Sequence, residues 1–206
     1  MGFGHLRLID PCDHLNEEAL MLAHGSHDLL HAARLFDTFE EAVADLDLLV
    51  ATTAKGRTAK HDYHPVRELA GILENRRSHL EKVGILFGTE ESGLPNELIL
   101  KADLAMTIPM AAGYPSLNLA QSVMVTAYEL SSMNPLSQPG ETIQKSGEGF
   151  GALKKQVRRL LQDAGIPEGS PLYHRIMERI ALAGPVDIPL FLSVLNRLNQ
   201  LNQKEE

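Results

Sequence analysis

Ile108-Pro109-Met110-Ala111-Ala112-Gly113-Tyr114-Pro115-Ser116-Leu117-Asn118, running on from Leu119 to Leu130, joins the end of an apolar strand to an amphipathic helix through a loop rich in Gly and Pro. Ser116 stands at the N-cap position. Beyond it Leu117, Ala120, Met124, Ala127 and Tyr128 recur at spacings of three and four, the period of one helical face. The spacing predicts a buried helix that starts at this loop. A helix start leaves N–H groups without intrahelical partners and carries the positive end of the helix dipole, so a loop feeding it can hold a polar ligand. Taken alone, the stretch is also an ordinary strand-loop-helix turn of the kind every α/β domain contains.

Val83-Gly84-Ile85-Leu86-Phe87-Gly88-Thr89-Glu90-Glu91-Ser92-Gly93-Leu94-Pro95-Asn96 repeats the arrangement, with an apolar strand, a glycine-bounded loop and Asn96 as a candidate cap. Working outward, His5–Asp10 reads as a strand and Asn16–Ala23 as a helix with acids in its first turn. Thr38-Phe39-Glu40-Glu41 is a capping box, and Leu46–Thr52 is an apolar run of strand length. Pro65 sits where a first helical residue would, ahead of Val66, Leu69 and Leu73, with Arg76 and Arg77 closing the last turn. Strands over 83–88 and 104–109 flank a helix near 96–102. The alternation implies a mainly parallel sheet with helices on both faces, and ligands of such sheets bind at the carboxyl ends of strands. Thr52-Thr53-Ala54, Gly88 and Ile108 mark three such ends.

The 206 residues suffice for one sizeable domain and an appendage, and 44% hydrophobic content is ordinary for a chain that buries a core. With aromatics at 5% and no Trp, that core is mostly aliphatic. The apolar runs fall short of a membrane span and no charged-then-apolar leader opens the chain, so we expect a soluble cytoplasmic protein without a membrane partner. Cys12, the single cysteine, excludes an intrachain disulfide and a cysteine-rich zinc site. His24, His27 and His31 are spaced as metal ligands could be, but Gly25 breaks the register that would gather them, and no metal is expected. A formal net charge of -8 argues against indiscriminate coating of nucleic acid, so RNA contact would need local patches. Neither a P-loop nor a GxGxxG follows any strand.

The two loops together resemble the second and third signature motifs of the SpoU/TrmH-type RNA ribose 2′-O-methyltransferases of the SPOUT superfamily. The matching residues are Phe87 to Leu94, and Ile108 to Met110 with Ser116 to Ala120. Within that family the chain looks most like the TrmJ-like branch, over about residues 1–130. The resemblance implies an α/β fold with a trefoil-knotted parallel sheet and a small C-terminal α-helical extension, acting as a homodimer with the helix Leu117–Leu130 as candidate interface. It implies S-adenosylmethionine as cofactor, with Thr52, Thr53, Ala54, Gly88, Ile108, Pro115, Ser116 and Leu117 in contact with it. On the acceptor side it implies that Glu90 orients a first-motif arginine, and that Ser116 and Asn118 position the ribose. The substrate would be tRNA, with rRNA also within the family's range. Read as plain structure, Glu90 is a solvated loop acid, Ser116 a cap and Asn118 a first-turn residue.

The chain departs from the family at its beginning. Met1 to Leu8 resembles the end of the first helix and the second strand, so the first-motif Asn and Arg have no match, and Arg7 and Arg34 do not supply them. Two expectations follow. Either the native protein extends upstream of Met1 and carries the missing motif, which is the preferred reading, or the chain is a non-catalytic RNA- or cofactor-binding member.

Lys55, Arg57 and Lys60 follow the Thr52–Ala54 loop as a basic cluster that either grips RNA phosphates or is simply solvated. Residues 131–151, rich in Ser, Pro, Gln and Gly, read as a linker between a methyltransferase domain over 1–130 and a helical extension over 152–206. In the extension Leu153, Val157, Leu160 and Leu161 form an apolar stripe beside a basic face of Lys154, Lys155, Arg158 and Arg159. Helices are also expected over 172–183 and 188–201. The tail resembles, more weakly, the C-terminal helices of TrmJ-like enzymes. Its basic face either docks tRNA or is solvated while the stripe packs on the domain or a second subunit.

Overall fold

Leu48, Leu49, Val50 and Ala51 are all buried, so the strand they form is covered on both faces and shows no polar alternation. A computed structural model describes residues 2–54, 60, 62–111, 117–133 and 149–202. It divides into two units, one up to Asp45 and one from Leu46 onward.

The first unit pairs two short parallel strands, β1 (Arg7–Ile9) and β2 (Arg34–Phe36), with Leu8 opposite Leu35. Helices α1 (Glu17–Ala23) and α2 (His27–His31) connect them, and α3 (Phe39–Val43) follows. Asn16 caps α1 by accepting the Ala19 N–H at 2.8 Å, and Thr38 caps α3 by accepting that of Glu41 at 3.3 Å. Arg7 ties the strand to the end of α3 by pairing with the Asp45 carboxylate and donating to the Ala42 carbonyl. β2 and α2 are too short to leave a period in the sequence, and none was read there.

The second unit is built on β3 (Leu48–Thr52), β4 (Tyr63–Pro65), β5 (Val83–Leu86) and β6 (Leu104–Thr107). The spatial order is β4-β6-β3-β5 and every pair is parallel, as the alternating pattern predicts. Leu48, Val50, Leu104 and Met106 share one face, because side chains two apart on a strand point the same way. They join one core with α4 (Val66–Glu74), α6 (Leu119–Leu130), α7 (Phe150–Asp163), α8 (Pro171–Ala181) and α9 (Asp187–Asn202). Ile99 of α5 (Asn96–Lys101) is fully buried.

Several local readings need correction. β4 occupies a stretch read as loop and helix start, so Pro65 ends a strand and caps α4 rather than opening it as a helical residue. Asn96 is the first residue of α5, behind an N-cap at Pro95. In α6 the cap is Asn118, not Ser116: its side chain accepts the Gln121 N–H at 2.7 Å while Gln121 accepts the N–H of Asn118. The face expected to be buried is turned out, with Ala120, Met124 and Tyr128 exposed. Thr126 and Leu130 are buried instead, and Thr126 enters the core because its hydroxyl donates to the Ser122 carbonyl at 2.8 Å.

The segment read as linker also ends earlier than expected. Phe150, 1% exposed, and Gly151 form the first turn of α7. A Cβ on Gly151 would stand 2.7 Å from an Asp47 carboxylate oxygen, so this glycine permits close approach of helix to sheet rather than flexibility. Residues 134–148 lie outside the described residues.

Asp103, 6% exposed, holds the amino end of the sheet to α7. Its carboxylate accepts the Leu49 N–H at 2.8 Å and the Lys154 ammonium at 2.8 Å, and Lys154 also donates to the Asp47 carbonyl at 2.8 Å. Asp103→Ala leaves a buried N–H and a nearly buried cation without this acceptor. We expect it to cost about 3 kcal/mol in urea unfolding, with Asp103→Asn costing less than half of that. Equal midpoints for wild type and Asp103→Ala would show that the contact does not hold the two parts together.

Candidate functional site

Because β6, β3 and β5 are neighbours and parallel, their carboxyl ends open side by side. Two hydrogen bonds fix the central one. Thr52 donates its hydroxyl to the Leu86 carbonyl at 2.9 Å, across to β5, and the Thr53 N–H donates to the Met106 carbonyl at 3.0 Å, across to β6. Thr53 is half-buried and Ala54 exposed, so the chain leaves the sheet at this point.

The loop after β5 closes on itself. Thr89 and Gly93 form an isolated antiparallel bridge, the Gly93 N–H donates to the Thr89 carbonyl at 2.9 Å, and the Thr89 and Ser92 hydroxyls lie 2.8 Å apart. Gly93 takes a φ of 67°, in the left-handed region that favours glycine. A Cβ on Gly88 would sit far inside contact distance of the Gly93 carbonyl carbon and the Leu94 nitrogen. Leu94, 5% exposed, anchors the loop inward, while Glu90 and Glu91 project into solvent.

Ile108, half-buried, is packed against the core at the third strand end. Leu117 is half-buried and Asn118 exposed at the start of α6. Pro115 and Ser116, and in the basic cluster Lys55 and Arg57, lie outside the described residues.

The basic residues separate into two groups. Lys60 is 6% exposed, with its ammonium 2.6 Å from the Ala102 carbonyl and 3.8 Å from Glu178, and burial holds its pKa below the ordinary lysine value. Lys154 is bound to Asp103. Both cations are engaged inside the protein, because each finds acceptors at the amino end of β6, which sequence spacing could not reveal. Lys155, Arg158 and Arg159 stay exposed on α7.

The side chains at the strand ends are small and mostly uncharged, so the arrangement suits a ligand held by backbone groups and apolar walls. Sequence reading overlooked Gly93, the partner in the Gly88 approach; its five-residue spacing from Gly88 was the available signal. It also overlooked the Leu86 and Met106 carbonyls, which leave no side-chain trace.

Three adjacent parallel strand ends opening into close-turned loops define a ligand-binding α/β protein of the kind that uses the carboxyl edge of its sheet. The chain belongs to the SpoU rRNA Methylase family, whose model matches residues 1–128. It is 33% identical over 201 residues to the uncharacterized tRNA/rRNA methyltransferase LasT of Escherichia coli K12, covering 97% of this chain and 87% of that one. It is 39% identical over 133 residues to the tRNA (cytidine-2′-O-)-methyltransferase TrmJ of Methanocaldococcus jannaschii, covering 63% of this chain and 56% of that one. The crystal structure of TrmJ from Z. mobilis ZM4 superposes with a TM-score of 0.63 at 28% identity, covering 96% of this chain and 88% of that one. The resemblance to TrmJ-like SPOUT proteins, and the α/β fold with a parallel sheet that it implied, are borne out.

Gly88→Ala forces the Gly88–Gly93 approach apart. We expect a loss of about 2 kcal/mol in denaturant unfolding, the range for overpacking a closed site. An unchanged midpoint would mean that the loop opens freely.

Proposed function

We propose that the chain methylates the ribose 2′-hydroxyl of an RNA, tRNA foremost and rRNA as the second choice, with S-adenosylmethionine as methyl donor. The observation that carries this reading is the convergence of the three family loops on one sheet edge, with the Gly88–Gly93 approach leaving main chain where a side chain would otherwise stand. Such a cradle fits an adenosine group, which is recognised through backbone N–H and C=O groups and apolar walls.

Thr52, Thr53, Ala54, Gly88, Ile108 and Leu117, with Pro115 and Ser116, would hold the cofactor. When bound, S-adenosylmethionine supplies an electrophilic methyl group on a sulfonium. The chain's part is alignment: Glu90 stands exposed where it can orient a cationic group, and Ser116 and Asn118 hold the acceptor ribose in line. The 2′-oxygen gains the methyl group as the carbon–sulfur bond breaks, and the hydroxyl proton passes to a base.

The RNA-facing cations in this reading are Lys155, Arg158 and Arg159, with Lys55 and Arg57; Lys60 and Lys154 are left out because their charges are spent internally. The knotted path of the loops and a cytoplasmic location belong to the same proposal. So does a homodimer, supported by the exposed apolar face of α6, where Val123, Met124 and Tyr128 are 41, 51 and 67% exposed. Residues 150–202 would serve as the C-terminal helical extension.

Calorimetric titration with S-adenosylhomocysteine, followed by methyl transfer from labelled cofactor to tRNA and rRNA, tests the proposal. Asn118 needs a chosen variant, because Asn118→Ala also removes a cap worth about 1 kcal/mol. Asn118→Ser retains a capping hydroxyl, and we expect it to leave stability near wild type while methyl transfer falls at least tenfold. Unchanged turnover would remove Asn118 from the site, and a folded chain that binds no S-adenosylhomocysteine would overturn the proposal.

A further inference from the structure

Lys60 closes the connection that leaves β3 at Thr53 and Ala54. The upstream end of that connection is pinned by the Thr52 and Thr53 hydrogen bonds to Leu86 and Met106. At the downstream end the Lys60 ammonium donates to the Ala102 carbonyl at 2.6 Å, lies 3.4 Å from the Leu100 carbonyl, and faces Glu178 at 3.8 Å. The Lys60 and Glu178 side chains are 3% and 5% exposed. Two residues on, Asp62 meets α8 again, 3.2 Å from Arg175 and 3.8 Å from Arg179.

The charges therefore alternate on both sides. Lys60 and Asp62 face Glu178 and the Arg175–Arg179 pair, which lie at i, i+3 and i+4 on one helical face. Outer members of this clasp are partly exposed and contribute little, but the Lys60–Glu178 pair is buried, where removing one partner strands the other. Asp103 and Lys154 lie beside it as a second buried pair, so the local charge balances in the intact protein.

We propose that Glu178 is a positioning residue for the cofactor site, acting through Lys60 to hold the far end of the connection that begins at Thr53 and Ala54. The inference rests on the function proposed above. Helix α8, which touches none of the three candidate loops through a described contact, would in this way set how well the Thr53–Ala54 backbone is organised for cofactor. With the charge of Glu178 removed, the Lys60 cation has an incentive to leave its carbonyl partners for water, and the connection loses its downstream anchor.

The test uses the full chain and the variants Glu178→Gln, Lys60→Met and their combination, titrated with S-adenosylhomocysteine well below every unfolding midpoint. Each single variant should weaken binding about tenfold, and the double variant no more than either, as expected of two residues acting through one contact. Cofactor KM should rise with kcat at saturation held near wild type. Glu178→Asp, which keeps the charge, should restore part of the affinity, and provides the comparison if Glu178→Gln fails to fold. Variants that unfold at lower denaturant but bind S-adenosylhomocysteine as wild type does would overturn the proposal and leave the pair a purely structural one. A wild-type chain that does not bind S-adenosylhomocysteine would overturn the functional reading itself, and the positioning role with it.

Discussion

The Asp103 carboxylate is the constraint on which the second unit depends. It accepts from the backbone of β3 and from a lysine of α7, and it stands one residue before β6 begins. A carboxylate buried there needs both donors, and each donor needs it, since buried polar groups without partners cost more than a made hydrogen bond returns. The contact therefore fixes α7 against the amino ends of β3 and β6. Lys60 and Glu178 add a second such contact beside the same strand end. The opposite edge, where the strands of about 15 Å finish, is left to the loops that carry the candidate ligand site.

The parallel sheet was legible because its strands are short apolar runs separated by capped helices, and Leu48 to Ala51 shows the double burial such runs encode. The two motifs located the site, since glycines at fixed spacing point to backbone held in close contact, as Gly88 and Gly93 are. The errors have physical origins. Met124 and Tyr128 lie on a regular apolar stripe of α6, but periodicity does not say which of two faces meets the core, and Thr126 takes the inner place by bonding its hydroxyl internally. Gly149 and Gly151 carry the composition of a linker, yet close approach asks for the same residue as flexibility does.

The basic residues show the limit of composition more sharply. Lys60 and Lys154 look like their neighbours in sequence, and only the acceptors that surround them distinguish an internal cation from one free to meet a phosphate. Those acceptors are the carbonyls of Ala102 and Asp47 and the carboxylates of Glu178 and Asp103, at sequence separations from 42 to 118. No local pattern predicts a partner so far along the chain. The family resemblance assigns roles to loops, whereas the buried charges emerge from this chain's own packing.

The shared core of sheet and C-terminal helices bears on how the chain is made. Leu48 and Val50 are synthesised about a hundred residues before Phe150 and Leu153, which join them in one cluster. On a ribosome adding roughly 5–20 residues each second, the sheet's core face stays uncovered for several seconds after its strands have emerged. Contacts so distant in sequence slow folding, because loop closure must precede the burial that rewards it. For that interval the nascent chain exposes an aliphatic surface well suited to a chaperone, and a ribosome stalled within residues 131–149 would leave that surface uncovered.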